Sequence, residues 1–137
     1  MNIALAAIQN PNTSSSTLER VYKTKRYPEY FTQTLVAHRH TPPYILREIY
    51  HAPRTTTGLE IWYAGNPSTP HEILDQIART GTDRTTIARL MENPSADCAI
   101  LTLVAVNLMK VQNRDADDQN VARLNELLPT KCPNTPK

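Results

Sequence analysis

The reactive side chains of this chain are few: four histidines, two cysteines and a single tryptophan in 137 residues. His38 and His40 are spaced so that both can approach one metal ion from a loop, while His51 and His71 fall on corners or helix starts. A zinc site needs at least a third protein ligand, and none stands nearby. No paired carboxylates and no nucleophile elbow accompany the histidines, so no catalytic residue, no metal and no cofactor is expected. The structural alternative for His38 and His40 is that they are substituted residues of a chain corner. Cys98 and Cys132 lie 34 positions apart without a CxxC spacing, which is neither a metal cluster nor a secreted disulfide framework. Cys98, beside Ala99 and Ile100, reads as a small core hydrophobe, and Cys132 as an exposed thiol in the tail. A reduced, cytoplasmic setting is the simpler reading.

Recognition chemistry is concentrated in the run RVYKTKRYPEYF, residues 20 to 31. Arg20, Lys23, Lys25 and Arg26 alternate there with Tyr22, Tyr27, Tyr30 and Phe31. Lysine and arginine neutralise phosphates and tyrosine stacks on bases, so the run has the make-up of a nucleic-acid footprint, extended by Arg39, Arg47 and Arg54 if successive units align them. The competing reading is a solvated loop, with the tyrosines packed between helices. Trp62 is either an aromatic anchor on a binding surface or a filler between units.

Composition narrows the elements that can position these residues. Three glycines and eleven prolines disfavour sheets, whose interiors reject proline and whose tight hairpins lean on glycine. Short helices separated by proline corners fit better. The net charge of +2 is too small to announce a nucleic-acid protein by itself. It is uneven, however: residues 1 to 57 hold seven Lys/Arg against three acids, and residues 58 to 137 hold eight against ten. The start MNIALAAIQNP is too short an apolar run for a signal peptide or a membrane span.

The elements themselves recur. Asn10-Pro11-Asn12-Thr13, Asn66-Pro67-Ser68-Thr69 and Asn93-Pro94-Ser95-Ala96 share a corner sequence, with a degenerate copy at His38-Arg39-His40-Thr41. The copies start at 10, 38, 66 and 93. Eight residues after each start stand Leu18, Leu46, Leu74 and Leu101, and three further on Val21, Ile49, Ile77 and Val104. Tyr22 and Tyr50 share the next position, and Trp62 shares its place with Ala6, Thr34 and Arg89. Each unit reads as a short helix, an Asn-Pro-x-Thr corner and a longer helix. In GNPSTPHEILDQIA the pattern predicts Thr69 as N-cap and Glu72 as its capping-box partner. A capping helix is expected over about 120 to 128, followed by a mobile tail over 130 to 137; residues 1 to 129 make one helical-repeat domain.

The corners and the leucine-bearing helices after them resemble the leucine-rich repeat variant family. The resemblance implies a right-handed superhelix in which longer α-helices alternate with shorter, often 3₁₀, helices. Units of 27 to 28 residues are longer than that family's usual repeat, and the cysteine-rich iron-sulfur segment of some members has no counterpart here, so no cofactor is carried over. The expected fold is therefore an all-α solenoid. The expected function is a non-enzymatic module that binds a protein partner, with nucleic-acid binding through the basic N-terminal half as the alternative and an enzyme on a helical-repeat scaffold as a distant third. Candidate binding residues are Arg20, Lys23, Lys25, Arg26, Arg39, Arg47 and Trp62. No membrane partner is expected, and the apolar start suggests end-to-end self-association.

Overall fold

The computed structural model describes residues 3–24, 31–52, 58–81, 83–110 and 118–133. These are all-helical. In chain order they form α1 (Ile3–Gln9), α2 (Ser15–Thr24), α3 (Phe31–Ala37), α4 (Pro43–His51), α5 (Glu60–Gly65), α6 (His71–Thr80), α7 (Arg84–Glu92), α8 (Cys98–Lys110) and α9 (Asp118–Lys131). The odd helices up to α7 pack on one another in order, α6 packs on α8, and α9 lies against both α7 and α8. None of the described helices is long and apolar enough to cross a membrane.

The longer helices form because their apolar residues fall on one face. Ile45, Leu46 and Ile49 of α4, and Ile73, Leu74, Ile77 and Ala78 of α6, are buried while the intervening residues face water. Leu18, Leu46, Leu74 and Leu101 are each at 0% exposure, so the position eight residues after a corner start is a core position in all four cases. Each such leucine contributes about 1.5–3 kcal/mol by burial. One continuous apolar cluster runs from Ile8 through Val104 to Leu124.

The corners are held by one hydrogen-bond scheme. In each, the amide of the fourth residue donates to the carbonyl of the first: Thr13 to Asn10 (3.1 Å), Thr41 to His38 (3.1 Å), Thr69 to Asn66 (3.0 Å) and Ala96 to Asn93 (2.9 Å). The asparagine side chains then tie one corner to the preceding one. Asn66 Nδ2 donates to Val36 O (2.7 Å) and His38 O (2.9 Å) while its Oδ1 accepts from Ser68 N–H (2.9 Å). Asn93 does the same with Ala64 O (2.7 Å), Asn66 O (3.0 Å) and Ser95 N–H (2.8 Å). Both asparagines are buried, which makes these bonds costly to lose.

His38 reproduces the asparagine chemically. Its Nε2 lies 2.8 Å from Asn10 O and its Nδ1 accepts from His40 N–H at 3.0 Å. A carbonyl only accepts, so Nε2 carries the proton and Nδ1 the free lone pair. Nδ1 of His40 likewise faces Thr13 O at 2.9 Å. These two histidines are corner residues, as their substitution for Asn and x suggests.

Several local expectations fail for identifiable reasons. Thr69 does not cap α6: its Oγ1 donates to Tyr63 O at 2.7 Å, and Thr41 Oγ1 donates to Leu35 O at 2.6 Å. Both hydroxyls are buried by the corner and satisfy the last turn of the preceding short helix, so the capping residues are Pro70 and Pro42 without a side-chain bond. Glu72, freed from a capping box, reaches Arg47 of α4. The final helix extends past 128, through Pro129 to Lys131, because its last turn is tied down: Lys131 Nζ donates to Ala96 O at 2.7 Å. Cys98 and Cys132 are joined in a disulfide, with Cα atoms 5.2 Å apart. Cys98 is therefore not a free core thiol and Cys132 is not an exposed one, and residues 130 to 133 belong to the folded end of α9. The rest of the expected tail, 134 to 137, lies outside the described residues. A closed disulfide belongs to oxidising surroundings, so the cysteines give no support to a reduced compartment.

Candidate functional site

Polar contacts run within and between the helices along their exposed edges, and they engage two of the expected binding residues. Lys23 Nζ is 3.6 Å from Glu19, one turn earlier on α2. Glu19 also accepts the phenol of Tyr44 from α4. That bond holds the Glu19 carboxyl below its ordinary range and, with burial and the Glu19 charge adding to it, pushes the Tyr44 phenol up to about 12. Arg47 pairs with Glu72 at 2.5 Å, and the guanidinium beside it lowers the Glu72 carboxyl. His71 faces Asp97 at 3.2 Å. Arg123 of α9 grips Glu92 of α7 through two nitrogens, at 2.5 and 2.9 Å. Lys23 and Arg47 thus face carboxylates, and a continuous positive strip does not form through them. Arg20 is exposed on α2. Lys25, Arg26 and Arg54 lie outside the described residues.

The short-helix side has a different character. Trp62 of α5 is half-buried and packs against the core, while the guanidinium of Arg89 from α7 sits 5.0 Å above its ring. A contact of this kind contributes about 0.5–1 kcal/mol at an exposed site. Trp62 thus packs against the core and stays partly exposed.

Between α1 and α3 the same side opens into a cleft of about 500 Å³. Ile8, Pro11 and Ala37 give it apolar walls, and Thr34 and Arg39 also line it. Thr34 stands four residues before the corner at 38, as Trp62 stands four before the corner at 66. A bulky residue at one place and a small one at the other therefore give relief to this side of the molecule. Of the expected binding residues, the structure puts Trp62 and Arg39 on or beside the short helices and Arg20, Lys23 and Arg47 on the longer ones. Arg89, Ile8, Thr34 and Ala37 were not singled out by sequence reasoning as binding residues. The only signal was positional: Thr34 and Arg89 share Trp62's place relative to a corner.

Comparison with protein-family models, curated proteins and solved structures finds no match for this chain.

Proposed function

We propose that the chain is a short α-solenoid of four helical repeats closed by α9, and that it is a non-enzymatic module that binds a protein partner through the side formed by its short helices. The observation that carries this reading is the Trp62–Arg89 pair: a large aromatic, partly open to solvent, held in place by a guanidinium from the next short helix. Tryptophan and arginine dominate the energetics of protein interfaces, and pre-positioning them lowers the ordering cost of association. Stacked repeats supply the extended surface on which such anchors act. The nucleic-acid alternative draws on Arg20 and Arg39, but it loses charge where Lys23 and Arg47 already face carboxylates. The deciding experiment is affinity capture from the native host with wild type, Trp62→Ala and Arg89→Glu. One partner retained by wild type and lost by both variants, each still folded by circular dichroism, is the expected result. Retention unchanged in both variants removes this surface from the function.

A further inference from the structure

We infer that the cleft between α1 and α3 is a subsite for an extended peptide segment that places an apolar side chain against Pro11 and Ala37 and a carboxylate on Arg39. This inference rests on the protein-binding reading above and gives the partner a chemistry.

The cleft's volume of about 500 Å³ falls in the range of ligand-sized concavities, and its walls are chiefly apolar. Among the described residues no carboxylate lines it, and Arg39 is part of its lining. Elsewhere Arg47, Arg79 and Arg123 each hold a glutamate or aspartate at 2.5 Å. The Arg39 guanidinium meets no carboxylate among the described residues, although its backbone is fixed, its carbonyl accepting from Ser68 Oγ. The side chain is exposed on an anchored corner, placed to make the paired bonds that a guanidinium forms with a carboxylate.

His38, also in the lining, offers a ligand no free nitrogen, because both ring nitrogens serve the corner. Charge recognition thus falls to Arg39, while the side-chain amides of Gln9 and Asn12 can meet peptide backbone. A nucleic acid needs several phosphates neutralised along a face. One guanidinium beside an apolar wall suits one carboxylate beside one apolar side chain.

The test uses the full chain with methyl and backbone NMR and, as probes, short capped peptides in which Leu or Phe stands two or three residues from Glu. Each has a Gln counterpart. The Glu peptides are expected to shift the signals of Ile8, Thr34 and Ala37, and both the Gln counterparts and Arg39→Gln should weaken binding about tenfold or more. Equal binding of Gln and Glu peptides, or an Arg39→Gln variant that binds as wild type, overturns the inference. So does the absence of shifts at millimolar peptide. Shifts confined to Trp62 and Arg89 overturn the cleft subsite and leave the protein-binding reading standing. Shifts at the cleft from an oligonucleotide, with none from peptides, overturn both.

Discussion

Cys98 opens α8 and Cys132 follows α9, so their disulfide closes a segment with a sequence separation of 34 around the linker between these helices. Removing it, by Cys98→Ser/Cys132→Ser or by reduction, frees the unfolded chain. In the chain-entropy treatment a loop of that length is worth about 3–4 kcal/mol. For a domain of this size each kcal/mol moves the melting temperature by about 3–4 °C, so the expected loss is about 10–15 °C. The native fold should survive at low temperature, because α9 keeps other ties: buried Leu124, the Arg123–Glu92 pair and the Lys131 bond to Ala96 O. Thermal melts followed by circular dichroism, with and without reductant, measure the effect. Reduction should bring wild type down to the double variant, which itself should not respond to reductant. The reasoning is refuted if denatured, unreduced protein from an oxidising preparation titrates two free thiols, or if the variant melts within about 2 °C of wild type.

Two further perturbations probe the corners and the polar edges. His38→Asn should be nearly neutral, because an asparagine at that corner can donate to the preceding carbonyls as Asn66 and Asn93 do, whereas His38→Ala strands Asn10 O and His40 N–H and should cost about 1–3 kcal/mol in urea unfolding. Equal losses in the two variants would contradict the equivalence of His38 and asparagine. The Arg123 guanidinium holds the Glu92 carboxyl below its ordinary value of 4.5, against a smaller opposing effect of burial. Since the folded-state value is the lower one, the stabilisation is present above the unfolded value and disappears as pH falls through the folded one. Wild type and Glu92→Gln should therefore differ in melting temperature near neutrality and converge in acid, with salt narrowing the gap because both side chains are about half exposed; a gap that persists in strong acid would rule this pair out as its source.

The corners were legible because their chemistry repeats at a fixed spacing. Asn66 and Asn93 must reach back to the corner before them, and a reach of 27 to 30 residues in sequence leaves a visible period. The leucine eight residues on is legible for the same reason, since the same helix face meets the same core each time. Thr69 misled because its hydroxyl has two local uses, capping the helix ahead or closing the turn behind, and the residues alone do not say which is buried. At the fourth corner, Ala96 has no hydroxyl, and α8 is capped instead by Asp97, whose Oδ1 accepts from Ile100 N–H at 3.0 Å. The corner and the helix start are thus separate devices, and the capping-box reading had merged them.

What escaped sequence reasoning belongs to no period. The disulfide, the Lys131 bond and the Arg123–Glu92 pair all arise because α9 folds back once, across α7 and α8, and a contact made once leaves no recurrence to find. The cleft escaped for the complementary reason: it is a concavity, lined by Thr34 at the place that Trp62 and Arg89 fill further along. A repeat specifies its scaffold through what the copies share. Its surface is specified by where they differ, and Trp62 is such a difference, with Arg89 of the next short helix set over its ring. Arg39 is the same kind of residue on a corner without such a neighbour, which is why its guanidinium is the one we assign to an external carboxylate.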